Sequence, residues 1–136
     1  MIAIVDTGPL YAAVNLNDEN HQQCAGVLED NSLELVVPAL VVAEVCYLIA
    51  SRLGSATEAQ FLRGLAAVEV EAPTTEEWDS MAGLVEKYGD FPLGSTDASV
   101  AVLAERLGTD LIVTLDRRHF SAFRMTNGRA FRLVPD

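Results

Sequence analysis

Short apolar runs with the composition of β-strands alternate along this chain with longer segments of helical periodicity. The strand-like runs occupy residues 2–5, 33–37, 68–72, 111–115 and 130–134. Strands that alternate with helices usually form a parallel sheet that is covered by helices on both faces. The pattern therefore predicts an α/β fold in three layers, with a central parallel sheet of four to five strands flanked by helices.

Helices are predicted between these strands, in a short segment around Pro9 and in residues 18–30, 38–52, 55–67, 74–88 and 96–107. Ser55 with Glu58 and Thr74 with Glu77 have the spacing of capping boxes at helix starts. Gly108 follows a predicted helix, as a C-terminal cap does. No linker or repeat interrupts the sequence, so residues 1–136 are expected to form a single domain.

The composition favours an intracellular protein with a proper hydrophobic core. Half of the 136 residues are hydrophobic, yet no apolar run approaches the roughly 18 residues that a membrane span needs. The start of the sequence has no basic segment followed by an apolar one, so export is not expected. Two cysteines form no disulfide framework, and we expect a cytoplasmic protein with free thiols.

Four carboxylates stand at unusual places in the apolar segments. Asp6 and Asp116 each follow a predicted strand, Glu44 lies inside the apolar stretch 41–46, and Asp97 opens a predicted helix. On helical wheels Glu44 and Asp97 share a side with apolar neighbours, so both are predicted to face the sheet rather than solvent. Ligands of open parallel sheets bind at the carboxyl ends of the strands. Because unpaired buried charges are costly, the four acids predict a site for a divalent cation.

An all-oxygen ligand set suits hard cations such as Mg²⁺ and Mn²⁺. Bound near a phosphodiester, such cations activate water and stabilise the leaving oxygen. The sequence offers no competing chemistry, because it has no serine nucleophile elbow, no Gly-rich phosphate loop and only two histidines. Metal-assisted phosphoryl hydrolysis is therefore the reaction class that these residues favour.

The charge pattern supports two opposite conclusions about a nucleic-acid partner. The net charge of −11 argues against a nucleic-acid partner, since phosphate binding usually needs a basic surface. Five of the nine basic residues nevertheless follow Asp116, and no acid lies between Arg117 and Arg132. This tail is either a solvated loop or a surface that attracts RNA, with Arg117 and Arg118 as the candidate RNA contacts.

The ordered motifs Asp6-Thr7, Glu44, Gly94-Ser95-Thr96-Asp97 and Thr114-Leu115-Asp116 resemble those of PIN domains, and more narrowly those of VapC toxins from toxin–antitoxin pairs. The resemblance covers essentially the whole chain. It implies an endoribonuclease toxin, dependent on Mg²⁺ or Mn²⁺, that cuts structured RNA (transfer or ribosomal RNA) to leave 3′-hydroxyl and 5′-phosphate ends. It also implies a homodimer and a cognate VapB-like antitoxin. The implied site consists of the catalytic, metal-binding acids Asp6, Glu44, Asp97 and Asp116, supported by Thr7 and Thr114.

Several of these residues also have purely structural interpretations. Asp6 could cap the following helix, Asp97 could stabilise a helix N-terminus, and Glu44 could pair with a buried arginine. Asp90 lies either in a turn over residues 89–92, which we favour, or near the acids. His119 either packs in a short turn, which we slightly favour, or touches a phosphate.

Two other classes of protein remain open. Phosphatases and receiver domains also place acids at strand ends, but they need a lysine, and the only lysine here is Lys87, late in a helix. A non-catalytic module that keeps the PIN fold is the second alternative, which the intact set of acids disfavours.

Overall fold

A computed structural model describes residues 1–91 and 93–136 and contains a sheet of five strands, all parallel. The strands are β1 (Ile2–Val5), β2 (Glu34–Pro38), β3 (Glu69–Glu71), β4 (Leu111–Val113) and β5 (Arg132–Val134). Their order across the sheet is β3-β2-β1-β4-β5. The predicted α/β fold with a parallel sheet is confirmed, although β4 ends two residues before the predicted boundary.

Seven α-helices connect and cover the strands in the described ranges: α1 (Thr7–Val14), α2 (His21–Leu28), α3 (Ala39–Arg52), α4 (Ser55–Gly64), α5 (Glu77–Lys87), α6 (Ser95–Leu107) and α7 (Arg117–Ala122). Helix α6 packs against β1, β2 and β4, and α3 packs against both β2 and α6. None of these helices combines the length and the apolar content that crossing a bilayer would require. Helix α7 differs from the prediction, which places no helix after residue 107.

The centre of the core lies where α6 covers the middle of the sheet. Ala3, Ile4 and Val5 of β1 are fully buried, and the neighbouring strand β4 is buried along its whole length. Seven consecutive residues of α6, numbers 98–104, are also buried. Parallel strands that are covered on both faces, and helices that are surrounded by protein, are expected to be apolar on every side. This explains why these buried runs are hydrophobic apart from Ser99.

The strand order creates a crevice beside β1. From β1 the chain builds the sheet outwards through β2 and β3, and it then returns to the other side of β1 to add β4 and β5. Val5 of β1 is paired with Val113 of β4, so the two strands end at the same level. This is the topological switch point at which open parallel sheets bind ligands, and we call it the β1–β4 edge.

The helix ends follow the sequence signals in part. The Thr74–Glu77 capping box is confirmed, with the Thr74 N–H donating to Glu77 at 3.0 Å and the Glu77 N–H donating to the Thr74 hydroxyl at 3.3 Å. The prediction of a Ser55–Glu58 capping box is wrong. Gly54 precedes α4, and its carbonyl accepts the Glu58 N–H. Gly108 ends α6 with a left-handed φ of 67°, as predicted.

Candidate active site

Asp6 and Thr114 form the innermost part of the β1–β4 edge. Asp6 follows β1 and is 6% exposed, and Thr114 follows β4 and is fully buried. The Thr114 hydroxyl donates to Asp6 Oδ2 at 2.8 Å and accepts the backbone N–H of Asp116 at 2.9 Å. Asp6 makes no side-chain capping bond to α1, so capping does not explain its position. One hydroxyl therefore connects the segments that carry the first and the last of the four acids.

The carboxyl group of Asp6 is kept neutral over an unusually wide pH range. Burial raises the pKa of Asp6 from 3.8 to about 6. The hydrogen bond from the Thr114 hydroxyl and the nearby backbone N–H of Thr7 oppose this rise, and the charges of Asp97 and Asp116 add to it. Desolvation and nearby like charges are the expected causes of such a shift. In the absence of a cation, an ionised Asp6 is therefore unfavourable.

Asp97 lies in the first turn of α6, close to the same group of charges. Burial raises the pKa of Asp97, and a hydrogen bond from the Gly94 N–H opposes this. The charges of Asp116 and Glu44 raise the pKa further, whereas His119 lowers it. Asp97 is half-buried, as predicted from its helix face. Its electrostatic coupling to the other acids indicates that the four carboxylates share one region.

Glu44 reaches this region from the surface, and its predicted burial is wrong. The side chain accepts a hydrogen bond from the Thr96 hydroxyl at 3.0 Å, next to Asp97 in sequence, but the residue is exposed. The buried stripe of α3 consists of Val41, Val45 and Ile49. At 3.6 residues per turn Glu44 lies about 100° from the centre of that stripe. Glu44 therefore lies at the rim of the crevice, and its partner is a hydroxyl group rather than a buried arginine.

Asp116 forms the other side of the crevice together with His119. Oxygen and nitrogen atoms of Asp97, Asp116 and His119 lie within 4.8 Å of one another, one atom from each residue. Asp116 also caps α7, because its Oδ1 accepts the His119 N–H at 3.1 Å. Neither interpretation of His119, packing in a short turn or touching a phosphate, includes its contact with Asp116. The available signal was the three-residue spacing from Asp116, which is the spacing of an N-cap and its N3 partner.

Thr7 contributes an unusual polar atom next to Asp6. Within residues 1–91 and 93–136, its Oγ1 is the one buried side-chain polar atom that has no hydrogen-bond partner. The residue is 7% exposed and begins α1. Buried hydroxyl groups in proteins are almost always hydrogen-bonded. The Thr7 hydroxyl thus has an unused hydrogen-bonding capacity beside the buried acid.

The arginines after Asp116 do not form one basic surface. Arg129 and Arg132 form ion pairs with Asp110, at 3.1 and 2.7 Å. Asp110 precedes β4 whereas Asp116 follows it, so these pairs lie at the opposite end of the sheet. Arg124 donates to backbone carbonyl groups of its own segment. Arg129 and Arg132 therefore lie away from the four acids, and Arg117 and Arg118 remain the candidate RNA contacts.

Arg118 is the arginine of this segment with a contact close to the acids. Its guanidinium carbon lies 5.6 Å from the centre of the Phe91 ring. The same ring meets His119 edge to face at 5.1 Å. Arg117 instead donates to the carbonyl of Pro135. Both arginines are exposed, and Arg118 is connected to the crevice through Phe91 and His119.

Asp90 lies in an exposed turn. The residue is exposed, and a hydrogen bond from the Phe91 N–H to the Tyr88 carbonyl closes a turn around it. This agrees with the favoured interpretation of a turn, of which the last predicted residue, Pro92, lies outside the described residues.

Comparisons with known proteins agree with the fold and with the motifs. Residues 3–124 match the model of the PIN domain family. The chain is 40% identical over 134 residues to "Ribonuclease VapC26" of Mycobacterium tuberculosis, with 97% of this chain and 99% of that protein covered. The chain therefore belongs to the PIN-domain family and, within it, to the VapC ribonucleases.

Two solved structures share the fold at lower sequence identity. The VapC20 toxin of Mycobacterium tuberculosis, described as cleaving the sarcin–ricin loop, has a TM-score of 0.74 and 18% identity, covering 81% of this chain and 86% of that one. VapBC2 of Rickettsia felis, solved with a promoter DNA fragment, has a TM-score of 0.66 and 18% identity, covering 88% and 91%. At these identities the comparison concerns the architecture, and the predicted PIN-like fold is confirmed.

Proposed function

We propose that the β1–β4 edge is the active site of an endoribonuclease that depends on Mg²⁺ or Mn²⁺ and acts in the cytoplasm. The ligands of the cation would be Asp6, Glu44, Asp97 and Asp116. The observation that carries this proposal is the position of Asp6, which is a buried carboxyl group whose pKa is raised to about 6 beside two further acids. Because burial and the neighbouring acids disfavour the charged form of this group, a bound cation would stabilise it.

The residues at this edge fit a hard divalent cation. The acids supply oxygen atoms, which Mg²⁺ and Mn²⁺ prefer. In the part of the chain that the structure describes, no salt bridge joins a lysine or arginine to any of the four. The unpartnered Thr7 hydroxyl adds a group that can bond to a water molecule of a hydrated cation. Both observations support a cation as the missing partner.

The chain's own residues would prepare the site and bind the substrate. Thr114 holds one oxygen of Asp6, and Thr96 holds one oxygen of Glu44 at the exposed rim, where an RNA strand has access. Arg118 is exposed beside the crevice and would bind a substrate phosphate, with Arg117 as a second candidate. A bound divalent cation would activate water for attack on the phosphodiester and stabilise the leaving oxygen. The products would be a 3′-hydroxyl and a 5′-phosphate.

The substrate would be structured RNA, either transfer RNA or ribosomal RNA. The test is incubation of purified protein with total cellular RNA, followed by sequencing of the newly formed 5′-phosphate ends. We expect cleavage at few positions with Mg²⁺ or Mn²⁺ and none with a chelator or with the Asp97→Asn variant. Cleavage by folded Asp97→Asn at the wild-type rate would contradict the assignment of the site. Absence of any cleavage by the wild type would favour the non-catalytic module.

We further propose that a small antitoxin silences the nuclease. The net charge of −11 and the four clustered acids favour a basic segment, whose guanidinium group matches a carboxylate in geometry and can replace a cation. Co-expression with the adjacent upstream reading frame should yield a complex that no longer cleaves RNA. If that small protein neither binds nor inhibits, the enzyme acts outside a toxin–antitoxin pair. By family resemblance we expect a homodimer, which sedimentation would test.

A further inference from the structure

Both oxygens of the Asp116 carboxylate are held by a single residue, His119. Oδ1 accepts the backbone N–H of His119 at 3.1 Å, and Oδ2 lies 2.5 Å from the Nδ1 of its ring. An ionised carboxylate can only accept hydrogen bonds, so Nδ1 must carry the hydrogen of the second bond. The first bond belongs to the cap of α7, whereas the second depends on the His119 side chain alone.

The His119 ring is in turn held from outside α7. The Phe91 ring, in the segment between α5 and α6, meets it edge to face, with the centroids 5.1 Å apart and the planes at 82°. This is a favourable arrangement for two aromatic rings. Both residues are half-buried, which restricts their motion. The orientation of the imidazole is therefore set by two different parts of the chain.

A fixed carboxylate is an advantage at this position. Asp97 and Asp116 place carboxylate oxygens of the same charge within 4.8 Å of each other. Like-charged carboxylates tend to turn away from each other until a cation binds between them. A carboxylate with both oxygens held cannot turn without breaking a hydrogen bond. Less reorganisation is then needed when the cation arrives.

We propose that His119, supported by Phe91, is a positioning residue that holds Asp116 ready for the divalent cation and thereby raises the affinity of the site. The inference rests on the proposed function, because it takes Asp116 to be a ligand of the cation. His119 acts through Asp116 in this proposal. Residues that orient metal ligands from outside typically change metal affinity about 10- to 100-fold.

The test measures Mn²⁺ binding to the metal-free protein without RNA, using the electron paramagnetic resonance signal of free Mn²⁺. His119→Leu removes the ring donor, whereas His119→Asn places an amide N–H near the position of Nδ1. We expect His119→Leu to weaken binding about tenfold or more. His119→Asn should retain most of the affinity. Equal losses in the two variants, or no loss in either, would overturn the proposal.

A double-mutant cycle separates positioning from direct binding. If His119 acts through Asp116, His119→Leu should cause no further loss of affinity in an Asp116→Asn background. A full additional loss there would mean that His119 contacts the cation itself, which would overturn the positioning role. Phe91→Leu should weaken Mn²⁺ binding in the wild-type background and leave it unchanged in the His119→Leu background. Thermal melting monitored by circular dichroism establishes that each variant is folded.

The outcomes also distinguish this proposal from the proposed function. A wild-type protein that binds no Mn²⁺ would contradict the cation site and, with it, the role of His119. A wild-type protein that binds Mn²⁺ with the same affinity as folded His119→Leu would contradict the role of His119 alone.

Discussion

Replacing Asp6 by Asn should stabilise the metal-free protein at neutral pH. The side chain is 6% exposed, and burial raises its pKa from 3.8 to about 6. One pKa unit corresponds to about 1.36 kcal/mol, so ionisation of Asp6 destabilises the folded state by roughly 3 kcal/mol. Asparagine removes the charge, and its Oδ1 can still accept the hydrogen bond from the Thr114 hydroxyl. We therefore expect Asp6→Asn to raise the free energy of unfolding by up to about 3 kcal/mol.

The pH dependence of this gain is as important as its size. Below pH 3.8 the carboxyl group of Asp6 is protonated in both the folded and the unfolded state. Between 3.8 and about 6 only the unfolded chain is ionised, so the free energy of unfolding falls as the pH rises. Above that range Asp6 is ionised in both states, and the free energy of unfolding falls no further on its account. The advantage of Asp6→Asn should therefore grow through this window and then remain constant.

Urea denaturation in the presence of a chelator, at a series of pH values, measures these free energies. Asp90→Asn is the matched control, because Asp90 is exposed, and it should change little at any pH. Adding Mg²⁺ or Mn²⁺ should then stabilise the wild type more than Asp6→Asn, since a ligand of the folded state raises its stability. An Asp6→Asn variant whose advantage did not depend on pH would refute the argument from burial.

Three further predictions concern the cation, the RNA and Thr114. Ca²⁺ should bind but support little cleavage, because its larger and looser coordination shell does not maintain the geometry of Mg²⁺, and a competition assay with Mg²⁺ would measure this. Arg118→Ala should weaken RNA binding and lower the slope of its salt dependence by about one, whereas Arg129→Ala should leave the slope unchanged, as salt titrations would reveal. Thr114→Val should destabilise the fold by about 1–3 kcal/mol through two lost hydrogen bonds, and Thr114→Ser should retain most of the stability and the cleavage rate.

The sequence predicted the two acids at strand ends well because their placement follows from topology. Asp6 and Asp116 each follow an apolar run, and in a parallel sheet such ends lie at one edge. The sequence pattern alone did not give the order of the strands, which makes β1 and β4 neighbours. That order depends on which strands pair, and pairing is a property of the whole sheet.

The burial of Glu44 could not be predicted from its own helix. The wheel of α3 places Glu44 near Val41 and Leu48, but the elements that cover the helix determine which part of the apolar arc is buried. The same limit applies to the ion pairs of Asp110. Arg132 comes close to Asp110 because β5 pairs with β4 so that Leu111 lies opposite Arg132. Such a register cannot be read from local composition.

Helix α7 was missed although its residues carry a signal. The segment is only six residues long, which is too short for a periodic pattern. Asp116 caps it, and Phe120 and Phe123 are buried against the core at a spacing of three residues. An acid followed by two apolar residues at this spacing indicates a short capped helix.

The four acids come from four segments distributed over nearly the whole sequence, from residue 6 to residue 116. During synthesis, a nascent chain that ends before Asp116 contains the first three acids but lacks the fourth, and it also lacks α7 with His119. Native contacts between such distant segments form late, because long loops must close first. The proposed cleavage activity would therefore arise only when most of the chain has been made and folded.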